Sequence, residues 1–148
     1  HEADKEYHDD KYVWRKVYKK YFDKYELTAK LRPHTITTKH DQIEFDKAWK
    51  NGVWNCYQTL SFDLKRNDSI KNKVYKWSGI LSELEESNQE INLCFLTIAP
   101  KRNGRLNRFI EDTLTTRKKE MVKVQIIEEK DADSFVAKVK EEIEAIQG

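Results

Sequence analysis

The chain has 148 residues, of which 38% are apolar and 36% charged, and its net charge is +2. That length suits one domain with a single core, and 11% aromatic residues exclude a disordered chain. The small net charge gives no bulk electrostatic reason to expect nucleic acid.

Charge is nevertheless distributed unevenly. Residues 15–32 carry Arg15, Lys16, Lys19, Lys20, Lys24, Lys30 and Arg32 against Asp23 and Glu26. Residues 101–119 are basic as well, and the segment from Glu128 onward is acidic.

Residues 9–31 read as a long amphipathic helix. Val13, Val17 and Tyr21 recur at four-residue spacing beside Trp14, Tyr18, Phe22 and Tyr25. Arg32-Pro33 is expected to end it. A polar β-like segment, Thr35–Lys39, leads into a hairpin centred on Asn51-Gly52. Those two residues suit a type I′ loop, which needs positive φ at both central positions. A two-residue loop sets a register in which Lys50 faces Val53, Trp49 faces Trp54 and Phe45 faces Gln58. The core face is then Ile43, Phe45, Trp49, Trp54, Cys56 and Leu60. Glu44, Asp46, Tyr57, Thr59, Ser61 and Asp63 lie on the other face.

Asn67-Asp68-Ser69 is a cluster of helix-capping residues. The helix after it turns Ile70, Val74, Trp77, Leu81 and Leu84 inward. The apolar run 91–100, bounded by Pro100, is the pattern of a strand buried on both faces. Leu106, Phe109, Ile110 and Leu114 mark another helix, and 121–127 another strand. The last helix, capped by Asp131 or Asp133, turns Phe135, Val139, Ile143 and Ile146 inward.

Strands joined through helices are most simply parallel, with right-handed crossovers. The expected fold is a single α/β domain over 1–148, with three layers and a mixed sheet. It comprises an N-terminal helix, an antiparallel β-hairpin, then parallel βαβαβ with a C-terminal helix. A start at His1 reads as a domain cut from a longer protein.

Cys56 and Cys94 fall in strands without CxxC spacing and read as buried free thiols, which suits a cytoplasmic setting. No apolar run reaches the roughly 20 residues of a membrane span, so no membrane is expected. There is no P-loop, no G-x-S-x-G and no dinucleotide fingerprint.

The hairpin runs on into Asp63-Leu64-Lys65. An N-terminal helix, a hairpin ending in acid-x-Lys, then a helix and a parallel strand resembles the restriction-endonuclease-like, or PD-(D/E)xK, superfamily. A degenerate member would share the same element order. The resemblance implies a nuclease-like core in which two acids hold Mg²⁺ and a lysine helps to position or activate the attacking water. Carried over, Asp63 and Lys65 match the D/ExK. Asp46 fits the first acid by spacing, but the expected register places it opposite Tyr57, roughly 20 Å from Asp63 along the strand. His40 lies opposite Asp63, so Asp41 completes the expected set, provided a bulge turns it. Asp41, Asp63 and Lys65 are therefore the candidate catalytic residues, with Asp41 and Asp63 the metal ligands.

A second candidate is the loop 100–105, which follows a buried strand and opens a helix. Anions favour a helix N-terminus, and Lys101, Arg102, Arg105 and Arg108 would contact a DNA or RNA backbone. The resemblance implies Mg²⁺ only if the chain is active, and a setting in a phage, mobile-element or defence protein. The rival class is a non-enzymatic module that docks a protein partner or forms a homodimer.

Overall fold

In the computed structural model, residues 9–101, 104–116 and 120–147 are described. Their element order is α1, β1, β2, β3, α2, β4, α3, β5, α4. The chain is α/β, with one five-stranded mixed sheet in the order β1-β2-β3-β4-β5. β1 (Arg32–Thr37), β2 (Gln42–Lys50) and β3 (Trp54–Ser61) form an antiparallel meander. β4 (Ile91–Ile98) and β5 (Val122–Ile127) continue parallel to β3.

Helices α2 (Asn67–Glu86) and α3 (Gly104–Thr115) cover one face. Ile70, Val74, Trp77, Leu81 and Leu84, with Leu106, Ile110 and Leu114, pack there on Phe45, Cys56, Leu60, Leu93 and Phe95. All five positions read as inward on α2 are buried. α4 (Ala132–Gln147) and α1 cover the opposite face. On α4, Val136, Val139 and Ile143 are buried, but Ile146 is 55% exposed, against expectation.

α1 is continuous through an α-helical turn Asp10–Tyr12, a π-helical stretch Val13–Tyr18 and an α-helical stretch Lys19–Lys24. The wider π turn lets Val13, Val17, Tyr18 and Phe22 all face inward. The helix stops sooner than expected because Glu26 takes a left-handed conformation (φ 59°). A 3₁₀ turn, Thr28–Lys30, then leads into β1.

The hairpin differs from its expected register. The loop has three residues, Asn51 to Val53, so Lys50 pairs with Trp54, Trp49 with Asn55 and Lys47 with Tyr57. β2 also carries a bulge: Arg32 pairs with Ala48 but His34 with Phe45, leaving Asp46 and Lys47 opposite Pro33. Proline has no N–H to give the ladder, which is where an edge strand tolerates an irregularity. The extra residue reverses the alternation. Phe45 and Ala48 both face the α2 layer, and Trp49 is turned to the α1 layer, where its Nε1 donates to Tyr57 OH at 2.7 Å. Trp54 stays on the α2 side, stacked on His34 with ring centroids 3.8 Å apart. The expected Trp49–Trp54 pair is therefore not formed.

Candidate functional site

The bulge has a consequence for the sheet. β2–β3 pairing runs only from Lys50↔Trp54 to Lys47↔Tyr57. Beyond it β2 continues against β1 as far as Gln42, while β3 continues against β4 as far as Ser61. The two strands thus form a fork that opens at Asp46 and Gln58.

The edge of β3 inside the fork has lost its neighbouring strand, and buried backbone groups need partners. Side chains provide them. Asp10, in the first turn of α1, accepts the Ser61 N–H on Oδ1 at 2.8 Å. Lys73 of α2 donates to the Ser61 carbonyl at 2.9 Å and to Asp10 Oδ1 at 2.7 Å. Thr59 Oγ1 donates to the Asp10 carbonyl at 2.9 Å, and Gln58 Nε2 to the Thr59 carbonyl at 3.1 Å. The start of α1 is thereby fastened to the free edge of β3.

The fork forms one side of a groove of about 620 Å³, and α1 forms the other. α1 contributes Asp10, Lys11, Trp14, Arg15 and Lys19; the strands contribute Asp46, Lys47, Gln58 and Thr59. Four cations face two carboxylates. Asp10 is paired with Lys73, and Lys19 with Asp23 at 2.9 Å. Lys47 Nζ lies 5.2 Å from the Trp14 ring centroid, a cation–π distance. Among the described residues, the Asp46 carboxylate has no hydrogen bond or ion pair. The groove therefore retains an excess of positive charge, suited to an anion.

The residues singled out from sequence lie elsewhere. β3 ends at Ser61, so Asp63-Leu64-Lys65 sits on the connection to α2. Asp63 is buried, its N–H donating to Ser61 Oγ at 3.3 Å, and Lys65 is exposed. Asp41 is exposed in the β1–β2 turn, where its carbonyl accepts the Thr38 N–H at 2.8 Å and its Oδ1 the Gln42 N–H at 2.8 Å. His40 is also in that turn and bonds Glu83 of α2 at 3.0 Å. The β2–β3 ladder stops before reaching Asp41 or Asp63. Among the described residues, no group of three or more His, Cys, Asp or Glu side chains could hold a metal ion.

Arg105 and Arg108 lie on the exposed side of α3 and Lys101 on the exposed loop before it, while Arg102 falls outside the described residues. The crevice at the carboxyl ends of β4 and β5 is walled by Thr97, Asn107, Glu111, Glu128 and Lys130. It is thus more acidic than the basic loop nearby led one to expect. Both cysteines are free and buried. Burial pushes the Cys56 thiol up to about 12 and Cys94 higher, so neither is a thiolate nucleophile near neutral pH.

No protein-family model, curated protein or solved structure matches the chain significantly. No helix in the described residues is long and apolar enough to cross a membrane.

The groove was missed in the sequence because its residues come from α1, β2 and β3, and no local motif joins them. The basic run at Arg15 and Lys19 was the only signal, and it reads equally well as a solvated helix face.

Proposed function

We propose that the chain is a nucleic-acid-associated domain with a restriction-endonuclease-like core, in which the fork groove receives the phosphate backbone of DNA or RNA. The observation that carries this reading is the groove itself, the largest of the clefts described. Lys11, Arg15, Lys19 and Lys47 line it, and Trp14 sits among them. Phosphate contacts of this kind dominate nucleic-acid affinity and make it salt-dependent. The element order, a helix and antiparallel strands followed by a helix and a parallel strand, supports the core assignment.

We read the domain as a binding relative of the nucleases rather than a cleaving one. At the fork, the Lys73 ammonium and the Ser61 N–H already occupy Asp10 Oδ1. Asp10 Oδ2 and the Asp46 carboxylate are then the acidic oxygens of the groove left for a cation, and two carboxylates among four cations do not fit Mg²⁺, which needs several hard oxygen ligands. No step is therefore assigned to Mg²⁺ there.

Fluorescence anisotropy with labelled DNA and RNA oligonucleotides over a salt series tests the proposal. Lys11→Glu, Arg15→Glu and Lys47→Glu together should weaken binding by roughly tenfold or more. The salt slope should fall by about one per lost phosphate contact. Arg105→Glu with Arg108→Glu should leave binding largely intact. The groove reading fails if the α3 variant abolishes binding and the fork variant does not. A stable homodimer with no nucleic-acid affinity would favour the interaction-module class instead. Mg²⁺-dependent cleavage that Asp63→Ala abolishes in a folded protein would return the site to Asp41, Asp63 and Lys65.

A further inference from the structure

The face of the sheet beneath α1 and α4 is apolar only in part. The parallel register places residues of β3, β4 and β5 in rows across the strands. One row is Thr59, Leu96 and Ile127, in which Leu96 and Ile127 join the core. The next, towards the amino ends of the strands, is Tyr57, Cys94 and Gln125, and the one beyond it is Asn55, Asn92 and Lys123. A sheet face meant only to be covered by a helix continues apolar; this one turns to amides and a lysine.

Along these two rows α4 stands off the sheet and leaves a trough of about 470 Å³, within the roughly 300–1,000 Å³ span of small-molecule sites. Phe135, Val139 and Glu142 of α4 form its far wall. Asn55 is buried, 8% exposed, and fully engaged: it donates to Asn51 Oδ1 at 3.1 Å and accepts from Asn92 Nδ2 at 3.0 Å. This chain of amides fixes Asn92, whose carbonyl oxygen remains available. Gln125 Oε1 receives only the weak Cys94 S–H at 3.8 Å. Among the described residues, Gln125 Nε2, Lys123 Nζ and the Glu142 carboxylate have no hydrogen bond or ion pair. The trough therefore presents the Asn92 amide held by Asn55, the exposed Gln125 amide, an apolar wall and two exposed charges of opposite sign.

We propose that this trough binds a purine base of the guanine type. Guanine offers N1–H and the N2 amino group side by side, a donor pair that the Glu142 carboxylate can accept together. Its O6 and N7 are acceptors, matched by the Gln125 amide N–H and the Lys123 ammonium. The flat ring lies against Phe135 and Val139. Adenine has a lone pair at N1 where guanine has N–H, so it meets the carboxylate with an acceptor. The trough lies apart from the fork groove, although Tyr57 lines both, and the proposal does not rest on the reading given for that groove.

Guanosine and adenosine are the probes, because neither carries a phosphate for the fork to hold. Each is titrated into the ¹⁵N-labelled protein while the side-chain amide resonances of Asn92 and Gln125 are followed. Guanosine is expected to shift both saturably, with adenosine weaker by roughly tenfold or more. Glu142→Gln replaces an exposed carboxylate and should reduce guanosine affinity by a similar factor while leaving a dispersed spectrum. Lys123→Met, on the exposed edge of β5, provides a second variant and should also weaken guanosine. The absence of saturable shifts, equal affinity for the two nucleosides, or indifference of guanosine binding to both variants would overturn the proposal.

Discussion

Replacing Lys73 by Met tests whether α1 is fastened to β3 at the fork. The Lys73 ammonium lies 2.7 Å from Asp10 Oδ1 and 2.9 Å from the Ser61 carbonyl. The Lys73 side chain is 19% exposed and the Asp10 side chain 37%. A buried hydrogen bond to a charged group contributes about 1.5–3 kcal/mol, and a fully exposed ion pair about 0–1 kcal/mol. Intermediate exposure places the loss between them, at about 1–2 kcal/mol, since Met preserves most of the apolar stem. Asp10→Ala should cost somewhat more. It leaves the Ser61 N–H without its acceptor and removes an acid from the first turn of α1, a further ~0.3–1 kcal/mol. The double variant should lose less than the sum of the two, by a coupling of about 1 kcal/mol. Urea unfolding monitored by tryptophan fluorescence measures all four proteins, with an unchanged m-value as the sign that only stability has moved. A coupling below about 0.3 kcal/mol would refute the clamp and reduce the pair to an ordinary surface bridge.

Tyr18→Phe probes how α1 is held to the carboxyl ends of β4 and β5. The buried Tyr18 hydroxyl shares its proton between the carbonyls of Thr97 (2.7 Å) and Ile127 (3.0 Å), and accepts the Thr97 N–H at 3.1 Å. The variant orphans a buried N–H, so a loss of about 2–3 kcal/mol is expected, or a Tm lower by about 4–12 °C; a loss under ~0.5 kcal/mol would contradict this. His34 gives a pH signature. It is stacked on Trp54, and its buried Nε2 has no partner among the described residues. Burial first, then the charges of Lys50 and Arg32, lowers its pKa from 6.5. The unfolded chain therefore binds the proton better, and stability that is complete above pH 6.5 falls as the pH drops towards the folded pKa. His40, raised by Glu83, acts in the opposite sense. Relative to His34→Phe in a His40→Gln background, the protein should lose stability below pH 6.5; parallel pH–stability curves would refute the assignment.

Helices α2, α3 and α4 were legible because each keeps one period over several turns. Ile70, Val74, Trp77, Leu81 and Leu84 declare a face that no single residue can disguise. The apolar run of β4 was legible for a similar reason, since a strand buried on both faces has no alternation to misread. β2 was not, because alternation has no memory across a bulge. One extra residue at Asp46-Lys47 moves Trp49 to the opposite layer. The available signal was Pro33, in the strand that must pair with β2, but a proline's partner cannot be known before the register is. The early end of α1 at Glu26 had no sequence signal either, because a non-glycine residue at φ 59° is held there by its surroundings. Of the fork groove, the cations of α1 were visible, but Asp46, Gln58 and Lys73 acquire their meaning only once β2 and β3 separate.

That separation links the fold to the proposed site. Pro33 cannot donate to β2, so the β1–β2 ladder takes its irregularity there, and a bulge bends the strand that carries it. β2 remains with β1, β3 remains with β4, and the gap between them leaves the β3 edge at Thr59–Ser61 without a strand partner. An edge left in that state would invite another strand. Asp10, Gln58 and Lys73 satisfy it instead. Because Asp10 begins α1, the helix is drawn over the fork, and the exposed side of its first turns, Lys11, Arg15 and Lys19, becomes a wall of the groove. A regular five-stranded sheet with the same composition would spread these cations over a closed surface. The irregularity at Pro33 gathers them around a cleft.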